Sequence, residues 1–509
     1  MPPIPANPNI KHVFVLMLEN RSFDHMLGFS GLTGTDAVTG QHTSIEGVSS
    51  ANTNSYDNKN YPATNDAANT MGYDPGHEFN DVLEQLCGAG TKYTGGAYPK
   101  INNTGFVSNY ATTKSSGEGG AKDGFGEIMK CYHSPSALPV MMGLAREFAV
   151  CDHWYSSLPG PTWPNRFFVH AASSGGLDHS PTTLETLEWE KLKGFVFENG
   201  SIYQSLVRAG QQWRIYRGVK SPLFGSIPSV AALKGIQIRD TIAYEDFAND
   251  LKGEYPYAYT FIEPNYGDVI NSSYTGGQSQ HPMDDVRHGE ALIKSTYEAI
   301  RNSPLWLNSM FIITYDEHGG FYDHFAPPAA IAPGDTSPFS IFNSSGFAFD
   351  QYGGRVAAIV VSAYTQKNII SHLPYDHSSI PATLEKIFNM PALTKRDAAA
   401  NTVGSLASLT KARPDTGVGA PPKSLPDVSG PPAVEDALIS VTHPKPVPDS
   451  ASVEGGNLPG FLFVVRKEQM EKAATAGIKP EMIESFVTTP KTRGEARAYL
   501  ETVLPGLMK

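Results

Sequence analysis

The sequence predicts an α/β protein, a mostly parallel central sheet flanked by helices. Three observations carry the prediction. Unbroken apolar runs at residues 13–18, 259–262, 310–314 and 356–361 have the length and composition of strands buried on both faces. Amphipathic stretches at 285–302 and 377–388 are interspersed with them, and strands alternating with helices build layered α/β domains. Two of the runs stop abruptly in carboxylate and amide side chains, at Glu19-Asn20 and Asp316-Glu317. Ligands of open α/β sheets bind beyond the carboxyl ends of the strands.

The 509 residues suffice for one large catalytic domain with appendages, or for two domains. A net charge of −12 without any basic run argues against nucleic acid as a general partner. The three cysteines, Cys87, Cys131 and Cys151, are too few and too odd in number for a disulfide framework, although one bridge is open. The apolar run at 13–18 is far too short to cross a bilayer. Residues 1–10 lack a cationic stretch followed by an apolar one. The expectation is therefore a soluble protein that stays in the cytoplasm, leaves by a signal-independent route, or has lost a leader.

Residues 30–73 and 108–126 are rich in small and polar residues, and are expected to pack around the mouth of a site. After about residue 406 the chain turns Pro-rich, through 411–459. An apolar run at 461–465 and helix-like pieces at 468–476 and 493–503 follow. This divides the chain into a catalytic domain at 1–406 and a linker with a small appendage at 407–509.

Three segments carry chemistry. Glu19-Asn20-Arg21-Ser22-Phe23-Asp24-His25 follows the first strand and offers two oxygen ligands to a hard cation; the plainer reading is a turn in which Asn20 and Ser22 cap a helix. Asp316-Glu317-His318-Gly319-Gly320-Phe321-Tyr322-Asp323-His324 follows another strand. Adjacent carboxylates there repel unless a cation or proton lies between them, and the paired glycines permit close backbone approach. A solvated acidic turn would explain the carboxylates but not the histidines. Pro159-Gly160-Pro161-Thr162-Trp163-Pro164-Asn165-Arg166 reads as a helix start with Thr162 at the N-cap. Free N–H groups at that end suit a phosphate, and the hydroxyl could attack phosphorus if a metal lowered its pKa. His77 and His281 can act as acid or base near neutral pH, although a lone histidine is more often structural. Asp376, Ser378 and Ser379 are expected to cap the next helix.

Together these three segments resemble the bacterial and fungal phospholipases C and acid phosphatases, a phosphoesterase family with the alkaline-phosphatase-like fold. The resemblance spans Glu19 to His377. It implies a metal surrounded by Glu19, Asn20, Thr162, Asp316 and Glu317, a Thr162 nucleophile, and His77 and His281 binding phosphate or serving as acid and base. Thr162-Trp163-Pro164-Asn165-Arg166 has the spacing of the Cys/Ser-x-Pro-x-Arg motif of related sulfatases. Thr cannot become formylglycine, so sulfatase activity is not expected, and Arg166 would steady the nucleophile or the cation. All-oxygen ligands favour Ca²⁺, Mg²⁺ or Mn²⁺; histidines in the first coordination sphere would favour Zn²⁺.

The expected activity is a phospholipase C-type phosphodiesterase that cleaves phospholipid headgroups through a phosphothreonine, with transient contact at a membrane surface. The alternatives are a broad acid phosphatase acting on small monoesters, or a silent scaffold. A choline cage would draw on Trp154, Tyr155, Trp163 or Tyr216. Relatives are often secreted or periplasmic, and the larger ones carry C-terminal β domains for which the region after residue 406 is too short.

Overall fold

The computed structural model describes residues 7–115, 119–132, 137–220, 224–335, 340–415, 447–478 and 487–507. Ten strands form one sheet. Their spatial order is His42–Ser44, Thr33–Asp36, Ile369–Ser371, Ala149–Cys151, Ala358–Ser362, Ser309–Tyr315, His12–Leu18, Tyr257–Glu263, Gln212–Arg217 and Thr241–Ala243. His12–Leu18 runs parallel to both neighbours, and all but its first residue are buried. That is why its run of apolar residues is continuous rather than alternating.

The expected strands are all present, with one difference of direction. Ala358–Ser362 is antiparallel to both strands beside it. A wholly apolar strand reports two covered faces and says nothing about which way the chain runs. Residues 30–73 also hold more structure than a cover. Thr33–Asp36 and His42–Ser44 extend the sheet, and Thr53–Tyr56 pairs with Lys59–Pro62 in a hairpin. The cysteines are free and buried.

Val286–Arg301 buries Val286, Gly289, Glu290, Ile293, Thr296, Tyr297 and Ile300, the three-and-four spacing of one helical face, and Asp285 caps its start by accepting from Arg287 N–H. Ser379–Phe388 begins at Ser378, yet no side chain caps it. Asp376 instead accepts from Ser157 Oγ at 2.8 Å and from Arg396 at 3.1 Å. Of the expected caps, Asp376 is engaged in a buried ion pair with Arg396, and Ser378 holds the N-cap position without a side-chain bond.

Near the C-terminus the apolar run and the first helix-like piece merge into one helix, Leu458–Thr475. Phe461, Phe463, Val464 and Val465 enter the same core as the sheet. Lys467 donates to the backbone carbonyls of Ala231, Leu233 and Ile236, and burial pulls its pKa down to about 8. The Pro-rich residues 416–446 lie outside the described residues. No helix among the described residues is long and apolar enough to cross a membrane.

Gly460 locks this helix to the segment that carries Thr162. A β-carbon at Gly460 would sit 2.3 Å from the Trp163 ring. Gly460→Val is expected to destabilise the protein by about 1–3 kcal/mol, the usual range for overpacking, and to depress turnover along with it. Thermal denaturation and a phosphodiester assay check this. An unchanged melting temperature would mean that the C-terminal helix yields without strain.

Candidate active site

Five chain segments meet beyond the carboxyl ends of His12–Leu18 and Ser309–Tyr315. Asn20, next after Glu19, takes a left-handed backbone with φ of 59°, a conformation Asn tolerates better than most residues. This turn lets Asn20 N–H donate to Asp316 Oδ1 at 3.0 Å and brings Asn20 Oδ1 to the Thr162 hydroxyl, which donates at 3.4 Å. Thr162 is the first residue of helix Thr162–Ala171, with Pro161 at the N-cap. The expected N-cap position is thus off by one residue, and the hydroxyl makes no cap bond.

Arg166, one turn further on, is buried. Its Nε donates to Asp316 Oδ2 at 2.9 Å, and its Nη2 donates to the carbonyls of Met17 and Leu18. The guanidinium also stands over the Tyr266 ring at 5.3 Å. Glu19, Asp316 and Glu317 are all fully buried, and the guanidinium is felt by Glu19 and Asp316. Among the described residues, both oxygens of Glu19 and Oε1 of Glu317 have no well-formed hydrogen-bond partner, with the Ser279 side chain near enough to Glu19 to favour its charged form. Burial drives the carboxyls of Glu19 and Glu317 well above the usual range; Arg166 opposes this at Glu19, His77 opposes it at Glu317, and Asp316 reinforces both.

Buried, unpartnered carboxylate oxygens in excess of local positive charge are the donor set that a divalent cation satisfies. Glu19, Glu317, Asn20 and Thr162 have oxygens to offer it. Asp316 is more heavily committed, since its Oδ1 also accepts from Glu317 N–H. Two tighter groups of metal-type side chains lie elsewhere, Asp24/Asp323/His324 and Asp152/His153/His372.

The paired glycines earn their place sterically. Gly319 and Gly320 both have positive φ, and a β-carbon on Gly319 would strike the Asn20 carbonyl while one on Gly320 would strike that of Gly76. The carboxylate loop is thereby pressed between the Asn20 turn and the His77 loop.

His77 and His281 stand with ring centroids 6.4 Å apart. The Pro75 carbonyl lies 3.0 Å from His77 Nδ1. A carbonyl only accepts, so Nδ1 carries a proton and Nε2 is the working nitrogen. Burial lowers the His77 pKa, but Glu317, Asp74, Glu78 and Asp81 outweigh it and raise the value to about 9. His281 is the reverse case. Met283 N–H donates to its Nδ1 at 3.4 Å, which puts the ring proton on Nε2. Burial and the neighbouring His77 and Arg21 hold it neutral, far below the ordinary value. Its ring stacks on Tyr274 at 3.4 Å, and Nε2 points toward Asp74 at 3.8 Å.

The remaining motif residues are scaffolding. Arg21 donates to the carbonyls of Gln280 and His281. Arg355 bridges Asp24 and Asp323 at 3.0 and 2.8 Å and so ties two of the motifs together. Three residues outside the expected site set hold the site in place. Gln85 joins His318 to the Gly76 carbonyl, and His377 holds the Asp316 carbonyl at 2.6 Å. Tyr274 backs His281. Only the His377 segment carried a visible signal.

Trp154, Tyr155, Trp163 and Tyr216, the expected choline cage, are at most 1% exposed and belong to the core. Their size favours burial over a wet pocket wall. A cavity of about 50 Å³ beside His77 is lined instead by Asp74, Glu78, Tyr274, Glu454, Asn457 and Arg493.

A family model described as the phosphoesterase family matches residues 10–391. Non-specific phospholipase C3 of Arabidopsis thaliana is 35% identical over 447 residues, which are 82% of this chain and 76% of that protein. Non-specific phospholipase C6 of the same plant is 35% identical over 496 residues, 92% of this chain and 86% of that one. Phospholipase C A of Mycobacterium tuberculosis strain H37Rv is 25% identical over 414 residues, 75% and 74% of the two chains. A solved structure described as a protein in the alkaline phosphatase superfamily from Vibrio parahaemolyticus overlaps 50% of this chain and 60% of its own, with 13% identity and a TM-score of 0.28. That likeness is too slight to bear weight.

Proposed function

Since this chain belongs to the phosphoesterase family and is a phosphoric ester hydrolase, we propose that it is a phospholipase C-type phosphodiesterase whose nucleophile is Thr162. The observation that carries the reading is the Thr162 hydroxyl held on Asn20 beside unpartnered carboxylate oxygens. The names of the plant and mycobacterial relatives support the substrate class.

A divalent cation held by Glu19, Asn20, Glu317 and Asp316 would lower the pKa of the Thr162 hydroxyl and neutralise phosphoryl charge. Deprotonated Thr162 Oγ attacks phosphorus, an O–P bond forms, and the bond to the diacylglycerol oxygen breaks. His77, protonated on Nε2, gives its proton to the departing alkoxide. The same nitrogen then takes a proton from the water that hydrolyses the phosphothreonine. His281 stays neutral throughout and offers its Nε2–H to a phosphoryl oxygen, fixed in that tautomer by Met283.

The cavity beside His77 suits a cationic headgroup, because the carboxylates of Asp74, Glu78 and Glu454 outnumber the cations that line it, Arg493 and His77. Hydrolysis of p-nitrophenylphosphorylcholine is expected to exceed that of p-nitrophenyl phosphate. Glu454→Gln is expected to raise KM for the choline diester by about twofold to fivefold, the scale of one exposed charge contact, and to leave the monoester unaffected. Preference for the monoester would overturn the phospholipase reading in favour of a phosphatase, and activity on neither would favour a scaffold.

A further inference from the structure

Three parallel strands beyond the reversed Ala358–Ser362 strand end side by side in polar residues. Thr33–Asp36, Ile369–Ser371 and Ala149–Cys151 are adjacent in the sheet. Asp36 closes the first, His372 follows the second, and Asp152 then His153 follow the third. This is where parallel sheets bind ligands, and the hydrolytic mechanism uses none of the four. Ala149–Cys151 is two strands from Ser309–Tyr315, about 10 Å at ordinary strand spacing.

His372 Nδ1 lies 2.9 Å from both oxygens of Asp152, and its Nε2 lies 2.9 Å from the Thr43 hydroxyl and 3.9 Å from Asp36. An imidazolium–carboxylate pair would account for the Asp152 contact by itself. It does not account for His153. That ring's Nδ1 lies 2.8 Å from the His372 carbonyl, so Nδ1 bears the proton and Nε2 a lone pair. Nε2 is buried and makes no hydrogen bond. Backbone carbonyl contacts of this kind are how metal-binding histidines are oriented. One ligand atom from each of Asp152, His153 and His372 lies within 4.8 Å of the other two. Asp152 is further fixed by Glu46 N–H at 2.8 Å.

We propose that Asp152, His153 and His372 form a second metal site, separate from the Thr162 centre, for a transition-metal dication of the zinc class. Two imidazoles and one carboxylate match the ligand preference of Zn²⁺ rather than of Ca²⁺ or Mg²⁺. His153 and His372 are partly exposed, which admits the ion and leaves a coordination position to water. The nearby Arg355 does not repel it strongly, since Asp24 and Asp323 already neutralise that guanidinium. The same guanidinium fills the space between the carboxylates of the Asp24/Asp323/His324 group, which is why that group is not the site. Once bound, the ion would staple the end of Ala149–Cys151 to the end of Ile369–Ser371, the two strands that its ligands follow.

The test is calorimetric titration of the metal-stripped full chain with Zn²⁺, paralleled by Co²⁺ and its visible absorption as a reporter of nitrogen ligation. Wild type is compared with His153→Ala, which keeps the His372–Asp152 pair, and with Glu19→Gln. His153→Ala is expected to lose one binding equivalent, or to weaken it by about tenfold or more, and to lose the Co²⁺ band. Glu19→Gln should keep both. Titration curves for folded His153→Ala that match wild type in stoichiometry and affinity overturn the site. Because the readout is binding, failure here leaves the Thr162 reading untouched, and failure of that reading leaves this one standing.

Discussion

Thr162→Ala is expected to lower kcat by about 10⁴-fold or more, the scale on which removal of a nucleophile acts, while the melting temperature stays close to that of wild type. The asymmetry follows from what the hydroxyl does in the fold. It makes no cap bond, since Pro161 occupies the N-cap, and its one hydrogen bond among the described residues is the 3.4 Å donation to Asn20. Replacing it removes a reacting atom without opening a large cavity. Thr162→Ser should keep part of the activity, because the oxygen survives and only a methyl group is lost. Acid quenching during turnover of a phosphorus-labelled diester should leave label on the wild-type protein and none on Thr162→Ala. Residual turnover within tenfold of wild type would remove Thr162 from the chemistry, and retained label on the Ala variant would move the nucleophile elsewhere.

The parts of this molecule that were legible in the sequence are those where one physical demand dominates. Strands buried on both faces must be apolar throughout, so His12–Leu18, Tyr257–Glu263 and Ser309–Tyr315 announced themselves. Val286–Arg301 did so through its buried face and its Asp285 cap. Three-residue strands such as Ala149–Cys151 and Ile369–Ser371 are too short to repeat a period and left no trace. The single helix Leu458–Thr475 was split in two by reading its apolar run apart from the charged turns after it. At the site, Glu19, Asn20, Thr162, Asp316 and Glu317 stood out because polar groups clustered at strand ends and at a helix start. Gln85 and Tyr274 could not be seen in this way. A glutamine inside an amphipathic helix and a tyrosine in a loop look ordinary until the fold brings them against Gly76 and His281. The aromatic cage failed for the opposite reason, since large rings carry more free energy into a core than into a wet wall.

Arg166→Met is expected to destabilise the protein by about 3–5 kcal/mol, the cost of leaving a buried charge without its partner. For a chain of this size that is a fall of roughly 3–5 °C in melting temperature, with turnover lost as well. Among the described residues, Arg166 is the one cation in hydrogen-bond contact with the buried carboxylates around Thr162, and it spans Asp316 and the carbonyls of Met17 and Leu18 at once. The side chain of methionine fills comparable space, so the effect reports charge rather than a cavity. Arg166→Lys should recover little, because an ammonium cannot reproduce the fork that reaches three acceptors in different directions. The decisive comparison is the double variant Arg166→Met/Asp316→Asn. Neutralising the stranded carboxylate should return part of the lost stability while activity stays absent, since the geometry that presents Asn20 and Glu317 to Thr162 runs through Asp316. If the double variant is instead less stable than Arg166→Met by the full cost of Asp316→Asn alone, the two side chains act independently. The ion pair would then not be what holds the nucleophile's helix against the two strand ends.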